Sequence, residues 1–198
     1  LTGGITNAGL IRGVNGVAVS LAPSILSGGL TNQATGQIVG AYTGISLNHA
    51  TISGGINNSG LIQAQGQGTK AILLSGATIT GGINNSVGGT ISSTNAIVAI
   101  NSEITNGINN RGQIIGAYSA INASGNLLTL NNQQYALVQG ALLGNLDVSN
   151  SGVIALQSTQ LNSSISGNFV QSPTGALIFA VNNNSVGGYA NIAVSGAA

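Results

Sequence analysis

Apolar and polar residues alternate in short bursts along this chain, and the bursts recur. The stretch Ile52–Ile62, ISGGINNSGLI, is echoed by LTGGITNAGLI from Leu1, LSGGLTNQATGQI from Leu26, ITGGINNSVGGTI from Ile79 and ITNGINNRGQII from Ile104. A diverged copy, LGNLDVSNSGVI, begins at Leu143. Aligned on the Asn that precedes a Gly, the copies place Asn7, Asn32, Asn58, Asn85, Asn110 and Asn150 in one column, with successive spacings of 25, 26, 27, 25 and 40 residues. A period of this size is the signature of stacked repeats.

Apolar columns keep step with the Asn column. Ile5, Leu30, Ile56, Ile83, Ile108 and Val148 lie two residues before it, and Ile11, Ile38, Ile62, Ile91, Ile114 and Ile154 follow the next Gly. A third column reads Val17, Ile45, Ile72, Ile97 and Ile121, and a fourth reads Leu1, Leu26, Ile52, Ile79 and Ile104. β-Branched residues and Leu at these positions favour strands. The Gly-Gly, Asn-Asn and Ser-Gly pairs between them are turn punctuation, and no 3.6-residue apolar stripe is present. An antiparallel sandwich would explain frequent turns, but not why side-chain identity recurs at this period.

The pattern predicts an all-β chain: a parallel β-helix (solenoid) of six or seven coils, each strand pairing with its equivalent one coil away, about 4.8 Å along the axis. The Ile and Leu columns fill the interior. The Asn column forms a structural amide ladder of the kind seen in stacked sheets. The 40-residue interval before Asn150 reads as one diverged coil with a loop within residues 126–147, around Asn131–Tyr135. The coils are expected to occupy residues 1–166.

Residues 167–198 break the pattern. Phe169, Leu177, Phe179, Val181, Tyr189, Ile192 and Val194 alternate with small or polar residues, the period of half-buried strands. Gly187-Gly188 between two such runs predicts a β-hairpin. This segment reads as a C-terminal hairpin cap with those seven residues as its core, because a solenoid needs an atypical terminal unit over its last apolar layer. Pro173 removes a donor that could template edge pairing.

Composition alters the picture mainly by exclusion. Hydrophobic residues make up 42% of the 198 residues, enough for a core, yet charged residues make up only 3%, against roughly 25% in ordinary soluble domains. Net charge is +1, from Arg12, Lys70 and Arg111 against Glu103 and Asp147. That offers no electrostatic footprint for nucleic acid or anionic lipid, which need clustered cations. Low charge also removes a guard against self-association. The absence of cysteine excludes a disulfide framework and a thiolate nucleophile. No apolar run is long enough to span a bilayer. With no signal-peptide pattern at a start that falls inside a repeat, the chain is expected to be a piece of a longer protein.

Catalytic chemistry finds few residues to use. β-Helical lyases and hydrolases need clustered carboxylates, and the chain has only Glu103 and Asp147. A Ser–His–acid arrangement would have to use His49, the single histidine, off register from Glu103. The expectation is therefore no enzyme, with no catalytic residue, cofactor-binding residue, cofactor or metal site. Two surface features are candidates for binding. Tyr42 and Tyr118 share a register in IVGAY and IIGAY, and Thr2, Ser27, Ser53, Thr80 and Thr105 form a hydroxyl column. Both read more simply as outward residues of turns and strands.

The ending carries a family resemblance. Gly167-Asn168-Phe169-Val170-Gln171, then Gly175-Ala176-Leu177-Ile178-Phe179-Ala180-Val181, then Tyr189-Ala190-Asn191-Ile192-Ala193-Val194-Ser195-Gly196 resembles the C-terminal part of autotransporter (type V secretion) passenger domains. The G-G-I-x-N-x-G-x-I coils are similar to those of the same family. The resemblance implies a right-handed single-stranded β-helix ending in an autochaperone region. It further implies a following outer-membrane β-barrel in the parent chain, and export to the cell surface of a Gram-negative bacterium. The function so implied is a virulence-type stalk or adhesin, with a host surface, matrix or another copy of itself as partner. The alternatives are a scaffold for an N-terminal enzymatic domain outside this chain, or a stand-alone ligand- or ice-binding solenoid.

Overall fold

The computed structural model describes residues 2–158, 161–181 and 188–198. Strands too short to be stable alone stack into rows, because each extended segment meets an equivalent one with the same side-chain pattern on the next turn. The result is a parallel β-solenoid of about seven turns, with no helix among the described residues. The first row starts with Ile5–Asn7, Leu30–Asn32, Ile56–Asn58, Ile83–Asn85 and Ile108–Asn110, each in register with the next. It continues through Leu130 and Val148 to Phe169–Gln171. The second row runs from Leu10–Gly13 through Gln37–Gly40 and Leu61–Ala64 to Val153–Leu156 and Ala176–Phe179. The third runs from Val17–Leu21 through Thr43–Asn48 and Lys70–Ser75 to Asn162–Ile165 and Asn191–Val194. A short fourth row, Ile25–Leu26, Thr51–Ile52, Thr78–Ile79 and Glu103–Ile104, closes the early turns.

The apolar columns stack as interior ladders. Leu30, Ile56, Ile83, Ile108 and Leu130 are fully buried, as are Ile38, Ile62, Ile91 and Ile114 and, on the third row, Ile45, Ile72, Ile97 and Ile121. Full burial of one such side chain contributes about 1.5–3 kcal/mol relative to exposure. One member of the third column is corrected. Val19, not Val17, stands in register with Ile45, while Val17 pairs with Thr43 and is exposed. The corner between the second and third rows varies in length from turn to turn, so a fixed offset misplaces the first residue. Leu1 of the fourth column lies outside the described residues.

The single diverged coil expected between Asn110 and Asn150, with a loop within residues 126–147, is also corrected, because that interval holds two turns. Leu130, Asn131 and Asn132 are in register with Ile108, Asn109 and Asn110 on one side and with Val148, Ser149 and Asn150 on the other. Asn132 follows Asn110 by 22 residues and precedes Asn150 by 18. These turns are shorter because the fourth row stops at Glu103–Ile104. The long strands Gln113–Asn132 and Leu137–Asn150 run through the corners in extended backbone, with register shifts between Ile115 and Ser119 and between Ala123 and Leu128.

At the C-terminal end the strands continue the rows in parallel. Phe169 is buried in register with Val148, and Ile192 and Val194 pack half-buried against the core. Four of the seven expected cap-core residues are corrected: Leu177 and Phe179 extend the columns of Ile154 and Leu156 but are exposed, as are Val181 and Tyr189, because no further turn among the described residues covers them. Val181 and Tyr189 form an antiparallel bridge. The expected hairpin turn falls largely on residues 182–187, which lie outside the described residues.

Candidate functional site

The predicted Asn column is a continuous wire. Asn7, Asn32, Asn58, Asn85, Asn110, Asn132 and Asn150 are all buried. Each donates from Nδ2 to the Oδ1 of the next at 2.8–2.9 Å, and Asn150 donates to Gln171 Oε1 at 2.9 Å. The remaining amide proton turns to backbone carbonyls, as from Asn32 Nδ2 to Gly36 O and Leu61 O, both at 3.1 Å. Their donors are fully used inside the protein. The column therefore holds turns together and leaves no amide proton for a ligand.

Asn132 is a member that the Asn-to-Gly spacing does not reveal. Its turn reads NNQQYA, so Ala136 stands where other copies have Gly. The surviving signal is the triplet Leu130-Asn131-Asn132, which repeats Ile-Asn-Asn at 56, 83 and 108.

A second wire lies one residue away on the outside, since successive strand residues face opposite sides. Asn131 donates to Asn109 at 3.1 Å, Asn109 to Asn84 at 3.1 Å, and Asn84 to Asn57 at 2.9 Å. Its polarity is opposite to that of the inner wire, with donors pointing toward the N-terminal turns. The backbone sets that direction: one Nδ2 proton of each of Asn57, Asn84 and Asn109 goes to the carbonyl three residues earlier, on Gly54, Gly81 and Asn106. Both protons of Asn84 and Asn109 are thus consumed, while each Oδ1 accepts one bond and keeps a lone pair.

Arg111 stands beside this outer wire. Its Nε donates to Gln133 Oε1 at 2.6 Å, which leaves the Nη end of the guanidinium projecting. On one side lies a depression of about 400 Å³ bounded by Asn84, Ser86, Asn109 and Gln133. On the other lies one of about 270 Å³ bounded by Val87, Gln134 and Tyr135. Tyr135 is 91% exposed and has a left-handed backbone, φ +68°. No feature of the sequence alone distinguishes Arg111 or Tyr135; the stacking of turns of unequal length brings them together.

The other candidates are scattered. Tyr42 and Tyr118 are both exposed, as are Thr2, Ser27, Ser53, Thr80 and Thr105. His49 is an exposed turn residue at φ +51°, with Nδ1 2.7 Å from Asn48 Oδ1. Glu103 accepts from Thr105 Oγ1 at 3.4 Å, whereas Asp147 accepts the backbone N–H of Asn168 at 2.7 Å on a different row. Among the described residues no three His, Cys, Asp or Glu side chains gather, and no helix is long and apolar enough to cross a membrane. Comparison with models of known families, with curated proteins and with solved structures finds no match.

Proposed function

We propose that this chain is the stalk of a secreted bacterial autotransporter passenger, displayed at the surface of a Gram-negative cell and serving adhesion or self-association. The observation that carries this reading is the unbroken inner amide wire from Asn7 to Gln171. Seven buried amides in series, flanked by Ile and Leu ladders, make a continuous rod able to hold a contact surface away from a membrane. Low charge and an Asn-, Ser- and Thr-rich exterior suit contact with carbohydrate, matrix or another copy. In this reading the ending from Gly167 promotes folding after the chain crosses the outer membrane, and an outer-membrane barrel follows in the parent chain.

The test is genetic. Bacteria displaying the parent protein should clump, or bind host cells, more than a strain lacking this segment. Equal clumping and equal binding would remove the adhesive role.

A further inference from the structure

The face around Arg111 and Tyr135 combines three features that the solenoid does not need. The first is a positioned cation. Arg111 is one of three basic residues in the chain; Gln133 fixes its Nε side, and no acceptor among the described residues engages its Nη donors. A guanidinium held by one edge presents the other as a fork that matches a carboxylate.

The second is a run of acceptors. Along the outer wire Asn84, Asn109 and Asn131 each donate one Nδ2 proton to the Oδ1 of the preceding rung, and Asn84 and Asn109 give the other to backbone, so these two have no proton left. What Asn84 and Asn109 offer to solvent is therefore the remaining Oδ1 lone pairs, on adjacent rungs about 4.8 Å apart. Such a surface suits a ligand that donates repeatedly, as sugar hydroxyls do.

The third is an aromatic side chain whose placement destabilises the fold. The turn Ser86–Gly89 closes through Gly89 N–H to Ser86 O at 2.9 Å, with Gly88 at φ +82°. The turn Gln133–Ala136 closes the same way at 3.0 Å, with Tyr135 at φ +68° in the position of Gly88. A left-handed backbone disfavours a residue with a Cβ, and Tyr135 gains no burial to offset it. Strain retained without a packing return points to a role in contact.

From these we infer that the two depressions flanking Arg111, one over Asn84, Asn109 and Gln133 and the other beside Tyr135, together bind an oligosaccharide carrying a single carboxylate. The acid group pairs with the Nη edge of Arg111. Hydroxyls donate to the outer Oδ1 atoms, and one sugar lays its C–H face on the Tyr135 ring. A polyanion is disfavoured because it requires several cations. A peptide strand requires an unpaired sheet edge, and Ile83–Asn85 and Ile108–Asn110 are paired on both sides. The inference deepens the adhesive reading by naming its ligand class, and rests on that reading for its biological setting only.

The test titrates the purified 198-residue chain with 3′-sialyllactose, and separately with lactose, by isotope-edited NMR. Saturable binding of the acidic sugar is expected, with shifts confined to this face and lactose about tenfold weaker or worse. Arg111→Gln and Tyr135→Asn, each with an unchanged far-UV spectrum, should each weaken binding about tenfold. Tyr42→Ala should leave it unchanged. Equal affinity for lactose, or full affinity in folded Arg111→Gln, would overturn the inference. So would a lack of saturation in the millimolar range, and cells that still adhere in that case would keep the adhesive reading intact. If the sugar binds but displaying cells neither adhere nor clump, the site stands and the adhesive reading falls.

Discussion

Asn110 Nδ2 donates to Asn132 Oδ1 at 2.9 Å across two turns that share no repeat motif, and Asn132 passes the bond to Asn150 at 2.8 Å. The inner wire therefore crosses the region where the sequence pattern fails. Asn132 also donates to Val153 O at 3.1 Å. Asn132→Ala would leave buried groups on both neighbours unpaired, and each unsatisfied buried group costs about 1–3 kcal/mol. Equilibrium urea denaturation should show a loss of about 3 kcal/mol. Asn132→Asp should be no better, because it removes both donors and buries a charge.

The wire also predicts coupling. Asn85→Ala and Asn110→Ala remove partners of the same 2.9 Å bond. Their double mutant should lose less stability than the two single losses added, by at least about 0.5 kcal/mol. Strict additivity would mean that each amide acts alone through its backbone contacts.

Much of this fold is legible in the residues themselves. Ile56, Ile83 and Ile108 recur with the same neighbours, and a parallel stack makes like sit on like. What hides the rest is corner length. Gln113–Asn132 passes in extended backbone through corners that earlier turns make with glycine, so Asn132 loses its punctuation while keeping its rung. Corner lengths that differ between turns also put Val19, not Val17, in the column of Ile45. The pairing of Arg111 with Gln133 is illegible for a stronger reason: it depends on a 22-residue turn bringing the two side by side, a spacing that departs from the early repeats.

Glycine at the corner before the first row carries a further test. Gly55 has φ +78°, and a Cβ there would lie 2.7 Å from Gly82 O. Gly55→Ala combines a left-handed backbone penalty of about 1–2 kcal/mol with a clash against backbone. It should lower stability by about 2 kcal/mol or more. Gly3→Ala, with open space around the new methyl, should stay within about 0.5 kcal/mol of the parent.

Ser24 predicts the opposite sign. Its Oγ is out of solvent and has no hydrogen-bond partner among the described residues. Removing an unsatisfied buried hydroxyl relieves a desolvation cost, so Ser24→Ala should be neutral or stabilise by up to about 1 kcal/mol. Thermal unfolding of the two proteins side by side is a sufficient measurement.

Tyr135 separates stability from contact. Asn tolerates the left-handed region better than an aromatic residue does, and the ring at 135 makes almost no buried contact. Tyr135→Asn should keep or raise the unfolding free energy, by up to about 1 kcal/mol. A marked loss would mean that the ring packs in solution, and would remove the argument from strain.

The last turn allows a test of how folding is organised. Phe169–Gln171, Ala176–Phe179 and Asn191–Val194 cover the strands that carry Val148, Ile154 and Ile165, and Phe169 N–H donates to Ala197 O at 2.8 Å. Deleting residues 167–198 would uncover those apolar side chains together and leave Asn150 Nδ2 without Gln171. Each turn contacts only its neighbours, so stability should propagate from whichever turn forms first. If the C-terminal turn is that nucleus, the truncated chain should fail to regain a cooperative β-type CD transition after dilution from urea. If it is an ordinary turn, the truncation should cost only its own interface, and refolding should proceed with a slightly lower midpoint. An unchanged melt and unchanged refolding would deny the ending any role in folding.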